Sequence, residues 1–317
     1  MTKQNKLAIV IPAYKATFLA AALDSIAAQT CHDFTLYIGD DCSPNHLGEI
    51  VDRYRDKINL VYHRFDTNLG GKDLVAQWER CIDMSQGEEW IWLFSDDDVM
   101  EKNCVEEFYK LSEDVRRNYV VHFDINVIDE HNKIVDGVSL RHYPKRLSGL
   151  GFMNEKLSGR IVSYVVEYIF PRKLFMETGR FANFDLAWGA DILTWFRMAN
   201  HSSGIYSINA NQAHVNWRKS NENISPNMSY PILKRKMEAI IDNAWFVQNE
   251  LVNMNLTRQF SFHASKVWRE IVRNSMYLHW GDLYMLYKSF LSKVGFPLQS
   301  FIYVSLCYFN KLTKIWK

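Results

Sequence analysis

The chain has 317 residues, which is within reach of one large domain with an extension. Hydrophobic residues make up 48% of the sequence, enough for a sizeable core, and the formal net charge of +1 gives no argument for nucleic acid as a partner. The five cysteines include no closely spaced pair of the kind that zinc sites and redox motifs use, so a reducing, cytoplasmic compartment is expected. No signal peptide is expected before the first strand, and no apolar run free of charge and proline reaches membrane-spanning length.

Strands and helices are predicted to alternate through the N-terminal third of the chain. Apolar runs typical of buried strands occur at residues 7–12, 34–39, 58–63 and 90–94. The segments between them carry apolar residues at helical spacing, for example Leu19, Leu23 and Ile26. Such alternation implies parallel strands joined by right-handed crossovers. The sequence therefore predicts an α/β fold with a Rossmann-like, mostly parallel sheet flanked by helices.

Three consecutive acids, Asp96, Asp97 and Asp98, follow the apolar run at 90–94. A buried strand cannot hold unpaired charges in its middle, so these acids should lie just past its carboxyl end, where open α/β sheets bind ligands. Adjacent carboxylates repel one another unless a cation lies among them, and oxygen ligands of this kind suit Mg²⁺ or Mn²⁺. The alternative is a solvated acidic turn at the N-terminus of the helix that starts near Glu101.

Two further polar positions are expected at the same edge of the sheet. Tyr14 follows the first strand and Asp41 follows the second, while residues 68–71 form a glycine-rich turn before a helix. Each feature alone has a simpler explanation, because a tyrosine can cover a sheet edge and an aspartate commonly caps a turn. Their convergence with the three acids favours a single site.

Several short motifs resemble the N-terminal half of family 2 glycosyltransferases, in the same order and at similar spacing. They are Ile-Val-Ile-Pro-Ala-Tyr at 9–14, Leu-Asp-Ser-Ile-Ala-Ala-Gln-Thr at 23–30, Ile-Gly-Asp-Asp at 38–41, Asn-Leu-Gly at 68–70 and Phe-Ser-Asp-Asp-Asp at 94–98. The family has the GT-A fold and transfers a sugar from a nucleotide-diphosphate donor with inversion. The sequence departs from the usual pattern after Asp41, where Cys-Ser-Pro replaces Gly-Ser, and the first acid of the family's Asp-x-Asp element falls at Ser95 or Asp96.

The resemblance implies roles for individual residues of the donor site. It implies that the base pocket is lined by Pro12, Ala13 and Tyr14, that Asp41 binds the base edge, and that Asp96 lies near the ribose. It further implies that Asp97 or Asp98 holds the metal, and it aligns Lys72 with a basic residue of the donor site.

The acceptor side is implied by two later segments. Gly-Ala-Asp at 189–191 resembles a Gly-Glu-Asp element whose aspartate is the catalytic base, so Asp191 is expected to take the proton of the acceptor hydroxyl. The alternative is that Asp191 only caps the following helix. Arg218, in the segment 214–225, is expected to pair with phosphate oxygens. Residues 136–160 show no clear periodicity and are interpreted as a loop over the site.

The C-terminal region differs in character, and the predicted division is a transferase domain at 1–230 and a helical region at 231–317. From residue 283 to the end there is no Asp or Glu, while five lysines alternate with aromatic residues. A basic aromatic tail is typical of a helix in an anionic membrane interface. The alternative is a helix packed on the catalytic domain with its lysines in water.

Together these features predict a metal-dependent inverting glycosyltransferase with a nucleotide-sugar donor, a UDP-sugar by default. The expected acceptor is a glycan or a lipid-linked glycan in cell-surface polysaccharide synthesis, such as O-antigen or capsule, at the inner face of the cell membrane. A sugar nucleotidyltransferase is the first alternative, but it would show a glycine-rich loop with Arg and Lys near the first strand, and residues 7–20 have none. A non-catalytic nucleotide-sugar-binding module on the same fold is the second.

Overall fold

The computed structural model of the protein describes residues 6–135, 142–208, 212–224, 227–255, 257–274 and 277–295. Within these ranges the strands are β1 (Leu7–Ala13), β2 (Phe34–Asp40), β3 (Leu60–Arg64), β4 (Trp90–Leu93), β5 (Val99–Met100), β6 (Val120–Ile128), β7 (Arg146–Leu147), β8 (Tyr168–Pro171), β9 (Ile205–Ile208) and β10 (His214–Arg218). The helices are α1 (Leu19–Ala27), α2 (Leu47–Val51), α3 (Leu74–Ile82), α4 (Cys104–Lys110), α5 (Glu113–Asn118), α6 (Gly149–Leu157), α7 (Arg172–Glu177), α8 (Ala190–His201), α9 (Tyr230–Asn253), α10 (Thr257–Asn274) and α11 (Trp280–Lys293).

The strands form one mixed sheet in the order β3-β2-β1-β4-β8-β6-β10-β5, with β9 beside β6 and β7 beside β9. The four predicted N-terminal strands are all parallel, since β1 pairs with β2 and β4, and β2 pairs with β3. Strand β8 runs antiparallel between β4 and β6. The predicted α/β sheet flanked by helices is confirmed, and its carboxyl edge gathers the ends of β1, β2 and β4.

Burial explains why the acids follow β4 rather than lie within it. Every residue of β2 and β4 is buried, and so is every residue of β1 except Pro12. On β4, the indole of Trp92 stacks on the ring of Phe123 with their centroids 5.0 Å apart. A strand that is covered on both faces has no place for an unpaired charge until the chain leaves the sheet.

The predicted loop at 136–160 is wrong for its second half. Residues 149–157 form helix α6, whose first turn is capped by Ser148, because its hydroxyl accepts from the Gly151 amide at 3.0 Å. Two glycines in the first turn, Gly149 and Gly151, obscure the helical pattern, since glycine disfavours helix interiors. Residues 136–141 lie outside the described residues.

The chain contains two compact units, and the predicted domain boundary at residue 230 stays a prediction. The first contains residues 1–183 and 194–222, and the second contains residues 184–193 and 223–317. Within the second unit, Leu233, Met237 and Ile241 of α9 share a buried apolar cluster with Trp268 of α10 and Phe290 of α11. In the described part of the chain, no helix is both long and apolar enough to cross a membrane. Residues 296–317 of the predicted membrane tail lie outside the described residues.

Candidate active site

Residues 95–98 after β4, the acidic turn, place two carboxylates next to one hydroxyl. Ser95 Oγ lies 2.7 Å from Asp97 Oδ1 and 2.8 Å from Asp98 Oδ2. The Asp98 amide also lies 3.2 Å from the same hydroxyl oxygen. Ser95 is one of the two positions at which the first acid of the Asp-x-Asp element was expected. In this chain it holds the following two acids close together.

Asp96 ties the end of β4 to the end of β1. Its Oδ2 accepts from the backbone amides of Tyr14 and Lys15, each at 2.8 Å. Burial raises the pKa of the Asp96 carboxyl, and Lys15 and the two amides oppose that shift. The predicted contact of Asp96 with a ribose stays a prediction. The contacts of Asp96 fix the backbone of Tyr14 relative to the acidic turn.

Asp98 is buried beside the negative charge of Asp97, so its charged form is disfavoured. Burial is the main cause that raises the pKa of Asp98 to about 8, and the negative charge of Asp97 is the second. Hydrogen bonds oppose this rise, among them the Arg218 amide, which donates to Asp98 Oδ1 at 2.7 Å. A divalent cation at this point would favour the charged form of both carboxylates.

Lys15 provides a cation within the turn, although it is not among the residues predicted from sequence. Its ammonium contacts Asp97 Oδ2 and lies 3.5 Å from Asp96 Oδ1. Burial lowers the pKa of Lys15, but the charges of Asp96 and Asp97 outweigh burial, so the pKa is raised. The available signal is its place directly after Tyr14, which puts a basic residue at the same sheet edge as the acids.

Asp41 joins the end of β2 to the glycine-rich turn. Its Oδ1 accepts from the Leu69 amide at 2.7 Å and its Oδ2 from the Gly70 amide at 2.8 Å. Arg80 on α3 also pairs with Asp41 Oδ1, a contact that the sequence did not predict. A Cβ on Gly70 would lie 2.7 Å from Asp41 Oδ2, so only glycine fits there without a shift. The predicted contact of Asp41 with a base stays a prediction.

The neighbouring acid, Asp40, has a structural role. It is fully buried, and it accepts from the Ser43 amide, the Tyr62 hydroxyl and the Arg64 guanidinium. Ser43 Oγ in turn donates to the Tyr14 carbonyl at 2.6 Å. This chain of bonds fixes the backbone of Tyr14, while the residue as a whole is 43% exposed. The predicted place of Tyr14 in a base pocket stays a prediction.

The other residues of the predicted base pocket follow from the register of the sheet. Pro12 lies opposite Gly39 and Ala13 lies opposite Asp40, so both are at the carboxyl end of β1 beside Tyr14. Lys72 is exposed in the turn before α3, where its amide donates to the Leu69 carbonyl at 2.9 Å.

Arg218 makes contacts that differ from those expected. Its side chain is fully buried, with Nε donating to the Asp97 carbonyl and Nη1 to the Asp129 carbonyl, both at 2.7 Å, and Nη2 to Asn132. The guanidinium also lies over the ring of Phe18, 4.4 Å from its centroid. It therefore holds the backbone of the acidic turn from within the protein. Direct pairing with phosphate stays a prediction.

Asp191 lies in the second unit, in the first turn of α8. Gly189 before it adopts φ +82°, and its carbonyl accepts from Asn243 Nδ2 at 2.9 Å. A Cβ at Gly189 would lie 2.9 Å from that same nitrogen, which explains the glycine. Asp191 is partly exposed at the start of the helix, and its role as the base stays a prediction.

The oxygen ligands in the acidic turn fit a divalent cation that binds together with its substrate. Within the described ranges, no three His, Cys, Asp or Glu side chains form a ready metal cage. Mg²⁺ does not need one, because it usually takes one or two carboxylates, several waters and substrate phosphates. Asp97 and Asp98, gathered by Ser95, supply such a pair.

Comparisons with known proteins find glycosyltransferases. The model of the family described as "Glycosyl transferase family 2" matches residues 8–162. The poly(ribitol-phosphate) beta-N-acetylglucosaminyltransferase TarS of Staphylococcus aureus is 30% identical over 106 residues, which are 32% of this chain and 18% of TarS. A PGL/p-HBAD biosynthesis glycosyltransferase of Mycobacterium tuberculosis is 35% identical over 100 residues, 31% of this chain and 38% of that protein. The matched segments thus span well under two thirds of these relatives.

Solved structures show the same fold over most of the chain. Residues 1–349 of S. aureus TarS in complex with UDP-GlcNAc align with a TM-score of 0.63 and 15% identity, covering 93% of this chain and 91% of that one. The mannosyltransferase PcManGT from Pyrobaculum calidifontis in complex with GDP-Man and Mn²⁺ aligns with a TM-score of 0.54 and 10% identity, covering 97% of this chain and 85% of that one. The predicted GT-A fold is therefore confirmed.

Proposed function

We propose that the protein is a metal-dependent, inverting glycosyltransferase that uses a nucleotide-diphosphate sugar, because residues 8–162 match the model of the family described as "Glycosyl transferase family 2". The observation that carries the proposal is the convergence of three strand ends. Tyr14, Asp41 and the acidic turn follow β1, β2 and β4, which are adjacent and parallel. Ligands of open α/β sheets bind at this edge.

The donor in this proposal is a UDP-sugar. Tyr14 is half-exposed, and its ring would offer a face on which a base can stack. Asp41, held by two backbone amides, would accept hydrogen bonds from base N–H groups through its carboxylate oxygens. S. aureus TarS, which aligns over 93% of this chain, has been solved with UDP-GlcNAc. Lys72, exposed on the glycine-rich turn, would approach the donor from the same side.

Asp97 and Asp98 would hold Mn²⁺ or Mg²⁺ together with the diphosphate. The cation would neutralise the charge that develops on the departing nucleoside diphosphate, so no protein acid is needed for the leaving group. Mn²⁺ accompanies GDP-Man in PcManGT, which shares this fold. Ser95 would keep the two carboxylates in place, and Arg218 would keep the backbone of the turn in place.

Asp191 is proposed as the base. An inverting transfer proceeds by one displacement, in which a single carboxylate removes the proton of the attacking hydroxyl. The position of Asp191 in the first turn of α8, after the positive-φ Gly189, leaves its carboxylate partly exposed. That exposure is what contact with an acceptor requires.

The proposed acceptor is a glycan or lipid-linked glycan of a cell-surface polysaccharide, reached from the inner face of the membrane. Helix α11 supports membrane contact, because Trp280, Tyr284 and Met285 are each about 60% exposed. Interfacial helices bury such aromatic residues at the headgroup level. Leu286 and Phe290 of the same helix pack into the second unit, so this helix is anchored on one face and exposed on the other.

The proposal is tested by hydrolysis of UDP-sugars, followed as release of UDP with and without Mn²⁺. We expect slow Mn²⁺-dependent hydrolysis of at least one UDP-sugar by the wild-type protein. Asp97→Asn should abolish it, because the diphosphate is held through the cation. Near-normal Mn²⁺-dependent turnover in that variant would overturn the metal assignment. Tight binding of UDP-sugars with neither hydrolysis nor transfer would instead indicate a binding module.

A further inference from the structure

We infer that the ammonium of Lys15 is a built-in counter-cation of the acidic turn, which occupies Asp97 in the metal-free protein and leaves it when a divalent cation binds. The inference rests on the proposed function, since it concerns the same metal site. It adds to the proposed metal site a basic residue that the sequence motifs do not identify. It also makes metal and donor binding depend on each other.

The first argument is the occupancy of Asp97. One of its carboxylate oxygens contacts the Lys15 ammonium, and the other lies 2.7 Å from Ser95 Oγ. A divalent cation coordinates carboxylate oxygen at about 2.0–2.1 Å in the case of Mg²⁺. An ammonium in contact with the same oxygen would lie close to that ion, and the two positive charges would repel each other. The cation and the Lys15 ammonium therefore compete for Asp97.

The second argument is that Lys15 can move its charge without moving its backbone. The Lys15 amide is fixed by Asp96 Oδ2 at 2.8 Å, so the backbone at the end of β1 stays in place. The side chain is 27% exposed, and its four-carbon chain is flexible. The ammonium can thus turn toward solvent.

The third argument concerns what the displaced ammonium gains. A nucleotide diphosphate bound through the cation brings phosphate oxygens next to the turn, and a lysine ammonium is a suitable partner for them. The cation alone must displace Lys15 with no compensation. The cation with a diphosphate displaces Lys15 and supplies a new partner for it. Mn²⁺ and UDP should therefore each increase the affinity of the other.

Lys15→Met tests this with two measurements that should change in opposite directions. The affinity for Mn²⁺ alone, measured from the paramagnetic resonance signal of free Mn²⁺, should rise by roughly fivefold or more, the lower end of usual coupling factors. The affinity for UDP at saturating Mn²⁺ should fall by a similar factor. Lys15→Arg, which keeps the charge, should leave the affinity for Mn²⁺ alone near that of the wild type. Lys57→Met, at an exposed lysine, is the matched control for losing one charge.

The outcomes separate this inference from the proposed function. If the wild type binds Mn²⁺ and UDP but Lys15→Met leaves the affinity for Mn²⁺ alone unchanged or weaker, the competition does not exist and the inference is wrong. If the wild type binds neither, the proposed function itself fails. If Lys15→Met does not fold, Lys15→Gln, which is uncharged but keeps a hydrogen-bond donor, is titrated in the same way.

Discussion

Substitution of Arg218 by methionine distinguishes a buried structural role from direct contact with phosphate. The guanidinium is fully buried and donates to the backbone carbonyls of Asp97 and Asp129. Methionine fills a similar volume but leaves both carbonyls without these donors. It also removes a positive charge beside Asp97 and Asp98.

The expected loss of stability follows from those contacts. Each buried carbonyl left without a partner costs about 1–3 kcal/mol. Removing one member of a buried charged network typically costs about 3–5 kcal/mol, which agrees with the sum for two carbonyls. We therefore expect Arg218→Met to lower the free energy of unfolding by about 3–5 kcal/mol. Arg218→Lys should lie between, because an ammonium keeps the charge but cannot span both carbonyls as the planar guanidinium does.

Equilibrium urea unfolding measures this loss from the midpoint and slope. Arg55→Met is the control, because Arg55 pairs with Asp52 through exposed side chains and should contribute little. The structural account is refuted if Arg218→Met is as stable as Arg55→Met while UDP affinity with Mn²⁺ collapses. That pattern would mean that the guanidinium reaches phosphate directly, as the sequence resemblance implies.

Three further predictions concern other parts of the chain. Asp191→Asn should lower turnover by about 10²–10⁴-fold with UDP affinity intact if Asp191 is the base, whereas unchanged turnover would leave it only a helix cap. Burial lowers the pKa of His122 to about 3, so below about pH 6.5 the unfolded chain binds a proton at this histidine that the folded protein does not bind. The free energy of unfolding should therefore decrease as the pH falls from about 6.5 toward 3. His122→Gln should weaken that pH dependence, measured by urea unfolding at pH 7 and pH 5. The Trp280→Ser, Tyr284→Ser double variant should lose binding to anionic vesicles at low salt and keep UDP affinity, whereas vesicle binding equal to that of the wild type would exclude α11 from the membrane contact.

The membrane prediction is also refined by the packing of α11. Removal of residues 283–317 would be the direct test of the tail predicted from sequence. Leu286 and Phe290, however, are buried in the core of the second unit, so that truncation would damage folding as well. Substitution on the exposed face of the helix separates the two effects.

The edge of the sheet could be predicted because its signal is local. Each apolar run is followed within three residues by the polar residues that leave the sheet, as with Tyr14 after β1 and Asp96 after β4. Parallel neighbours then bring those ends together whatever the details of packing. The glycine turn at 68–71 was likewise recognisable, although its purpose, room for Asp41, appears only in the structure.

The contacts of the basic residues could not be predicted, because distant segments decide them. Arg218 donates to the carbonyl of Asp97, which is 121 residues earlier in the chain, and Arg80 reaches Asp41 from the last turn of α3. A motif gives the position of such a side chain along the chain but not its direction. Lys15 shows the same limit, since only the fold places its ammonium against Asp97.

The central claim is that the ends of β1, β2 and β4 form one site for a metal ion and a nucleotide diphosphate. Paramagnetic broadening of amide resonances by Mn²⁺ in the presence of UDP tests it directly, with Mg²⁺ and UDP as the diamagnetic control. We expect strong broadening at residues 95–98 and at Tyr14 and Lys15. Leu7 and Phe34 at the amino ends of β1 and β2 should be broadened far less, because seven residues of strand, at about 3.3 Å each, place them about 20 Å away. Broadening that spares residues 95–98, or that needs no UDP and centres on another part of the chain, would contradict the claim.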